Sequence, residues 1–98
     1  MIAREIGVDW RGEGITLNNL GNAYAALGDT RRAIEHYERQ LVIAREIGDR
    51  DGEGAALSNL GIAYKSLGEP RRAIEYYEQA LVIARQIGDR RSEGHYPE

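Results

Sequence analysis

The sequence predicts an all-α solenoid built from two helical hairpins. Three observations lead there: a long internal repeat, apolar residues spaced by threes and fours within each copy, and glycine, aspartate or proline wherever one helix must stop and another start. The repeat comes first. Gly12-Glu13-Gly14 recurs as Gly52-Glu53-Gly54, an offset of 40, and Gly12 through Arg50 matches Gly52 through Arg90 at 27 of 39 positions. A period between about 20 and 50 residues marks an architecture in which each unit leaves one apolar face for the next unit to cover. The units are therefore 12–50 and 52–90. Residues 1–7 read as the end of a preceding repeat helix, because Ile2-Ala3-Arg4-Glu5-Ile6-Gly7 matches Ile43-Ala44-Arg45-Glu46-Ile47-Gly48, with Val8-Asp9-Trp10-Arg11 as an irregular linker. Residues 91–98 read as the truncated start of a third repeat, so partial repeats flank the two full ones.

Within the first unit Leu17, Leu20, Tyr24 and Leu27 fall at steps of three and four, which stacks them along one stripe of an α-helix. Gly28 ends that helix and Asp29 caps the next; the second unit has Gly68 followed by Glu69-Pro70, with proline at the first helical position. Ala33, Ile34, Tyr37, Leu41, Ala44 and Ile47 continue the pattern to Gly48, and Ala73, Ile74, Tyr77, Leu81, Ala84 and Ile87 repeat it to Gly88. Gly21 and Ala23, with Gly61 and Ala63, are small enough to let the two helices of a hairpin approach closely.

Composition narrows the function. Thirteen basic against sixteen acidic residues leave a formal charge of -3, which disfavours a nucleic-acid partner. The chain has no cysteine, so it offers no disulfide framework, thiolate metal site or thiol nucleophile. His36 and His95 are the two histidines and lack the spacing of a metal or general-base site, so neither a metal, another cofactor nor an enzymatic activity is expected. No apolar run is long enough to span a membrane, and Met1-Ile2-Ala3-Arg4-Glu5 has no secretion-signal character; a cytoplasmic chain is the expectation.

The order Leu20-Gly21, Tyr24, Gly28, Ala33, Tyr37 resembles the tetratricopeptide repeat, and Leu60-Gly61, Tyr64, Gly68, Ala73, Tyr77, Ala80 resembles it more fully, since the first unit has Gln40 where the family favours alanine. The period departs from the family's common length of about 34 residues. The longer unit is similar to repeats of spindle-orienting adaptor proteins and of bacterial signalling ATPases, both of which grip peptide or protein segments. The resemblance implies a protein-interaction scaffold whose first helices line a concave wall. On that wall the helical spacing selects Asn18, Asn19 and Asn22 in the first unit and Ser58, Asn59, Ile62 and Lys65 in the second as peptide-binding residues. Asparagine offers one acceptor and two donors, so Asn19 and Asn59, one repeat apart, are suited to the backbone of a bound segment. The terminal-carboxylate clamp known in the family uses lysine or arginine at these places and is not expected here.

Several residues have simpler readings. Tyr24, Tyr37, Tyr64 and Tyr77 belong to the core stripe, Tyr76 alone is expected to face outward, and Arg31, Arg32, Arg71 and Arg72 are expected to pair with Glu35, Glu38, Glu75 and Glu78 on a mixed-charge convex face. At the C-terminal end Leu81, Ile83 and Ile87 are expected to form an outer apolar face like the one Leu41, Ile43 and Ile47 use to receive the following hairpin. Two hairpins without polar caps should therefore self-associate into a homo-oligomer by end-to-end stacking or swapping. The alternative function is a structural or engineered module with no ligand besides copies of itself.

Overall fold

A computed structural model describes the backbone of residues 9–95 and the side chains of residues 9–88. Four helices follow one another: α1 (Trp10–Ala26), α2 (Thr30–Ile47), α3 (Arg50–Ser66) and α4 (Pro70–His95). α1 pairs with α2 and α3 with α4, and the two hairpins stack through α2 and α3; α1 and α3 touch more lightly. No strand occurs among the described residues.

Local chemistry sets the boundaries. Asp9, Asp29 and Asp49 each cap a helix by accepting from the backbone amide three residues on, at 2.9 Å from Gly12, 3.3 Å from Arg32 and 3.1 Å from Gly52. Gly28, Gly48 and Gly68 take positive φ values of 82°, 72° and 81°. That left-handed turn lets the amides of Asp29, Asp49 and Glu69 reach back to the carbonyls of Tyr24, Ala44 and Tyr64, each at 2.9 Å, and so satisfies carbonyls that helix ends otherwise leave open.

Two expected boundaries differ. Trp10 is not in an irregular linker but is the first helical residue of α1, because Asp9 supplies the cap that starts the helix there. Gly88 does not end α4, which runs on to His95.

The core is centred on α3. Leu57 and Leu60 are fully enclosed, and Ala33, Ile34, Tyr37 and Leu41 of α2 pack on one side of α3 while Ala73 and Ile83 of α4 pack on the other. Being flanked on both sides is what buries the α3 stripe. Among the described residues the same stripe on α1 packs mainly on α2 and only lightly on α3, so Leu17 is buried but Tyr24 is half-buried and Leu20 and Leu27 are exposed, against the sequence expectation. On α4, Ile74, Tyr77 and Leu81 are likewise exposed. The expected outer face of α4 is corrected in part: Ile83 and Ile87 turn toward α3, and a Cβ on Gly54 would meet Ile83 Cγ2 at 3.4 Å.

Each hairpin closes over a glycine. A Cβ built on Gly21 would lie 2.5 Å from Tyr37 Cε1, and one on Gly61 would lie 2.6 Å from Tyr77 Cε1, so in both units a tyrosine ring rests directly on the helix backbone. Gly21→Ala should destabilise the protein by about 1–3 kcal/mol through overpacking, less the roughly 1 kcal/mol that alanine gains in a helix. Gly61→Ala should cost clearly less, because the Tyr77 ring is partly open to solvent and can shift whereas Tyr37 is held beneath α3. Urea unfolding of the two variants measures the difference; equal losses would contradict it.

Candidate functional site

Between α1 and α3 lies a groove of about 240 Å³ lined by Asn22 and Ala25 of α1, Thr30 and Tyr37 of α2, and Asn59, Ile62, Ala63 and Ser66 of α3. Tyr37 forms its floor. The ring is buried against Gly21, and the hydroxyl donates to Asn22 Oδ1 at 2.7 Å. Burial pushes the Tyr37 hydroxyl above its ordinary value of 10.0, so it stays a donor through the neutral range. Across the groove Asn59 Nδ2 donates to Asn18 Oδ1 at 2.8 Å, a bond between α1 and α3 that links the two repeats.

The seven residues selected from the sequence divide accordingly. Asn22, Asn59 and Ile62 line the groove, and Asn18 adjoins it through its bond to Asn59. Asn19, Ser58 and Lys65 lie on α1 and α3 but outside the lining. Asn19 and Asn59 do not act as a matched pair, since Asn59 is engaged by Asn18 while Asn19 is exposed. Thr30 and Tyr37 were not selected. A tyrosine on a core stripe carries a polar tip that must find a partner, and that need was the available signal for Tyr37.

A second polar cluster sits where α2 ends and α3 begins. Glu53 is buried and receives Arg45 Nε at 3.1 Å and Arg50 Nη1 at 2.9 Å. Arg45 also reaches Gln79 of α4 at 3.3 Å, and Arg50 donates to Gln86 of α4. The Glu53 carboxylate thus holds an arginine of α2 and one of α3, and both arginines extend the network to glutamines of α4. Nearby, Gln40 is buried with its Nε2 at 3.4 Å from the Gly52 carbonyl, while Gln40 Oε1 and Trp10 Nε1 have no hydrogen-bond partner among the described residues; both residues line a cavity of about 40 Å³.

The aromatic and basic residues of the outer face arrange themselves differently from the sequence expectation. Tyr76 does not face outward but stacks on Tyr64, with centroids 5.4 Å apart and planes 3° from parallel, and His36 packs on Tyr24 at 5.1 Å. Arg32 lies over Tyr24 and pairs with Asp29 at 3.4 Å; Arg72 lies over Tyr64 and pairs with Glu69 at 3.8 Å. Each guanidinium is held by a carboxylate three residues earlier and by a ring face.

Among the described residues no group of three or more histidines, aspartates or glutamates is placed to hold a metal ion, and no helix is long and apolar enough to cross a membrane. With hairpin pairing, a tyrosine seated on glycine and left-handed glycines in register, the family model described as tetratricopeptide repeat matches residues 2–86. The chain belongs to the tetratricopeptide repeat family. No curated protein matches it. Tetratricopeptide repeats form scaffolds that generally mediate contact between proteins. In this member the groove between successive first helices is neutral and amide-rich, and the ion pairs described above sit at the helix ends and on the α2 and α4 faces.

Two outcomes test these assignments. Glu53→Ala should destabilise by roughly 1–2 kcal/mol, below the cost of breaking a fully buried ion pair, because Arg45 and Arg50 remain 50% and 43% exposed and are screened by water. Thermal unfolding measures this; an unchanged midpoint would remove Glu53 as a junction between the hairpins. The tyrosines set an alkaline limit. Burial first of all raises Tyr37 and Tyr76 above their ordinary 10.0, so the folded state holds protons that the unfolded state releases. Their contribution is complete below pH 10.0 and falls as the pH rises through the higher folded values. In Tyr37→Phe the fall above pH 10.0 should be shallower than in the parent, as read by denaturant unfolding across the alkaline range.

Proposed function

We propose that this chain is a protein-interaction scaffold that holds a peptide segment of a partner protein in the groove between α1 and α3. The observation carrying this is the groove itself, with Tyr37 as floor, Asn22 and Asn59 on opposite walls and Ile62 as an apolar contact. Its size decides the class of ligand. About 240 Å³ is smaller than the roughly 300–1,000 Å³ of a typical small-molecule site, so it suits one side chain of a longer segment that continues along the helices. The amides read such a segment through its backbone, because Asn22 and Asn59 keep hydrogen-bonding capacity beyond the bonds they make to Tyr37 and Asn18. Asn18, Asn19 and Ser58 extend the polar surface along both helices, and Lys65 supplies one contact to an acidic group. Family membership and the likeness of the 40-residue unit to repeats that grip protein segments support the same reading, with a cytoplasmic protein as the partner envisaged.

Ile62→Glu should reduce peptide affinity at least about tenfold while leaving the unfolding midpoint in place, because Ile62 is exposed and lies outside the core. A peptide-array hit titrated against parent and variant measures this. Equal affinities would place the ligand elsewhere.

A further inference from the structure

We propose that the chain stacks head to tail on copies of itself, the open face of α4 in one copy receiving the open face of α1 in the next, in the register α2 and α3 already use within the chain. This goes beyond the groove reading and does not depend on it.

The internal junction is the template. There Ile34, Tyr37 and Leu41 of α2 are 8%, 4% and 7% exposed, and Leu60 and Ala63 of α3 are 0% and 5% exposed. One repeat later the same three residue types stand on α4 as Ile74, Tyr77 and Leu81, at 54%, 37% and 48% exposure. One repeat earlier, Leu20 and Ala23 stand on α1 in place of Leu60 and Ala63, and Leu20 is 41% exposed. Among the described residues, the exposed faces of α4 and α1 therefore carry at these positions the same apolar residue types as the two mates of an interface the molecule already makes.

The polar contacts of that interface also have their counterparts. Arg45 pairs with Glu53 across the internal junction at 3.1 Å. Arg85 and Glu13 occupy the equivalent places and are both exposed, so stacking brings an arginine of α4 against a glutamate of α1. Asn59 bonds Asn18 across the same junction; Asn19 and Ser58 are the equivalents, an amide and a hydroxyl able to bond between copies. Cationic and anionic partners thus lie on opposite ends in the register that the apolar residues require, which favours a second copy over an unrelated partner. Because the contact joins two different surfaces, it repeats without closing on a pair and builds a linear stack.

Sedimentation velocity of the full chain from micromolar to millimolar concentration tests the idea. Average mass should rise with concentration and pass beyond the dimer. Leu81→Glu and Leu20→Glu each spoil one face at an exposed position, so each variant should stay folded by circular dichroism and sediment as a monomer. Mixed together, they should form a dimer and stop there, since one intact α4 face and one intact α1 face remain. Arg85→Glu should weaken stacking by about tenfold, and adding Glu13→Arg should restore it. A parent chain that is monomeric throughout, or a single-face variant that grows as the parent does, would overturn the proposal.

Discussion

The fold rests on the contact between a tyrosine ring and a glycine backbone inside each hairpin. Tyr37 over Gly21 and Tyr77 over Gly61 bring the paired helices closer than any side chain at the glycine would permit. That closeness places the tyrosine hydroxyl at the hairpin surface rather than within the core, and in the first unit it becomes the floor of the groove. The hairpin spacing and the groove are consequences of one steric fact. A glycine in mid-helix is intrinsically unfavourable, and the aromatic area buried above it supplies the compensation.

Between hairpins a different balance holds. The α2 and α3 stripes exclude water over a narrow apolar band, and the ends of that band are closed by polar groups: the Asn18 and Asn59 amides on the groove side, Glu53 with its arginines at the start of α3. Buried polar groups tolerate few alternative arrangements because an unmet bond is costly. The leucines and alanines supply most of the attraction, and the amides and Glu53 determine which register the repeats adopt.

Much of this was legible in the sequence because it is local. Apolar spacing, the aspartate caps and the left-handed glycines depend on neighbours a few residues away, and these gave the four helices and the small residues at the hairpin contact. What could not be read was set by distant neighbours. Leu20 and Leu60 have nearly the same flanking sequence and opposite exposure, since among the described residues α3 packs closely between two helices and α1 packs closely on one. Gly48 and Gly88 stand in the same Gly-Asp-Arg context, yet Gly48 ends a helix that turns back into α3 while Gly88 lies within α4. In the groove, three of the residues selected by spacing, Asn22, Asn59 and Ile62, are among the lining. Spacing missed Tyr37 because a core stripe says nothing of where a ring's polar end emerges, and it paired Asn19 with Asn59 because periodicity cannot show that Asn59 already has a neighbour across the repeat boundary.

The connectivity of the helices bears on how the chain acquires its shape. Contacts are densest within a hairpin, and those joining hairpins link helices adjacent in the chain, so few closures span a long stretch of polypeptide. Topologies dominated by such short-range closures reach the native state quickly and with little entropic loss before the first stabilising contacts form. Either hairpin can act as the nucleus and the other can add to it, so among the described helices none must wait for a remote partner during synthesis from the N-terminus.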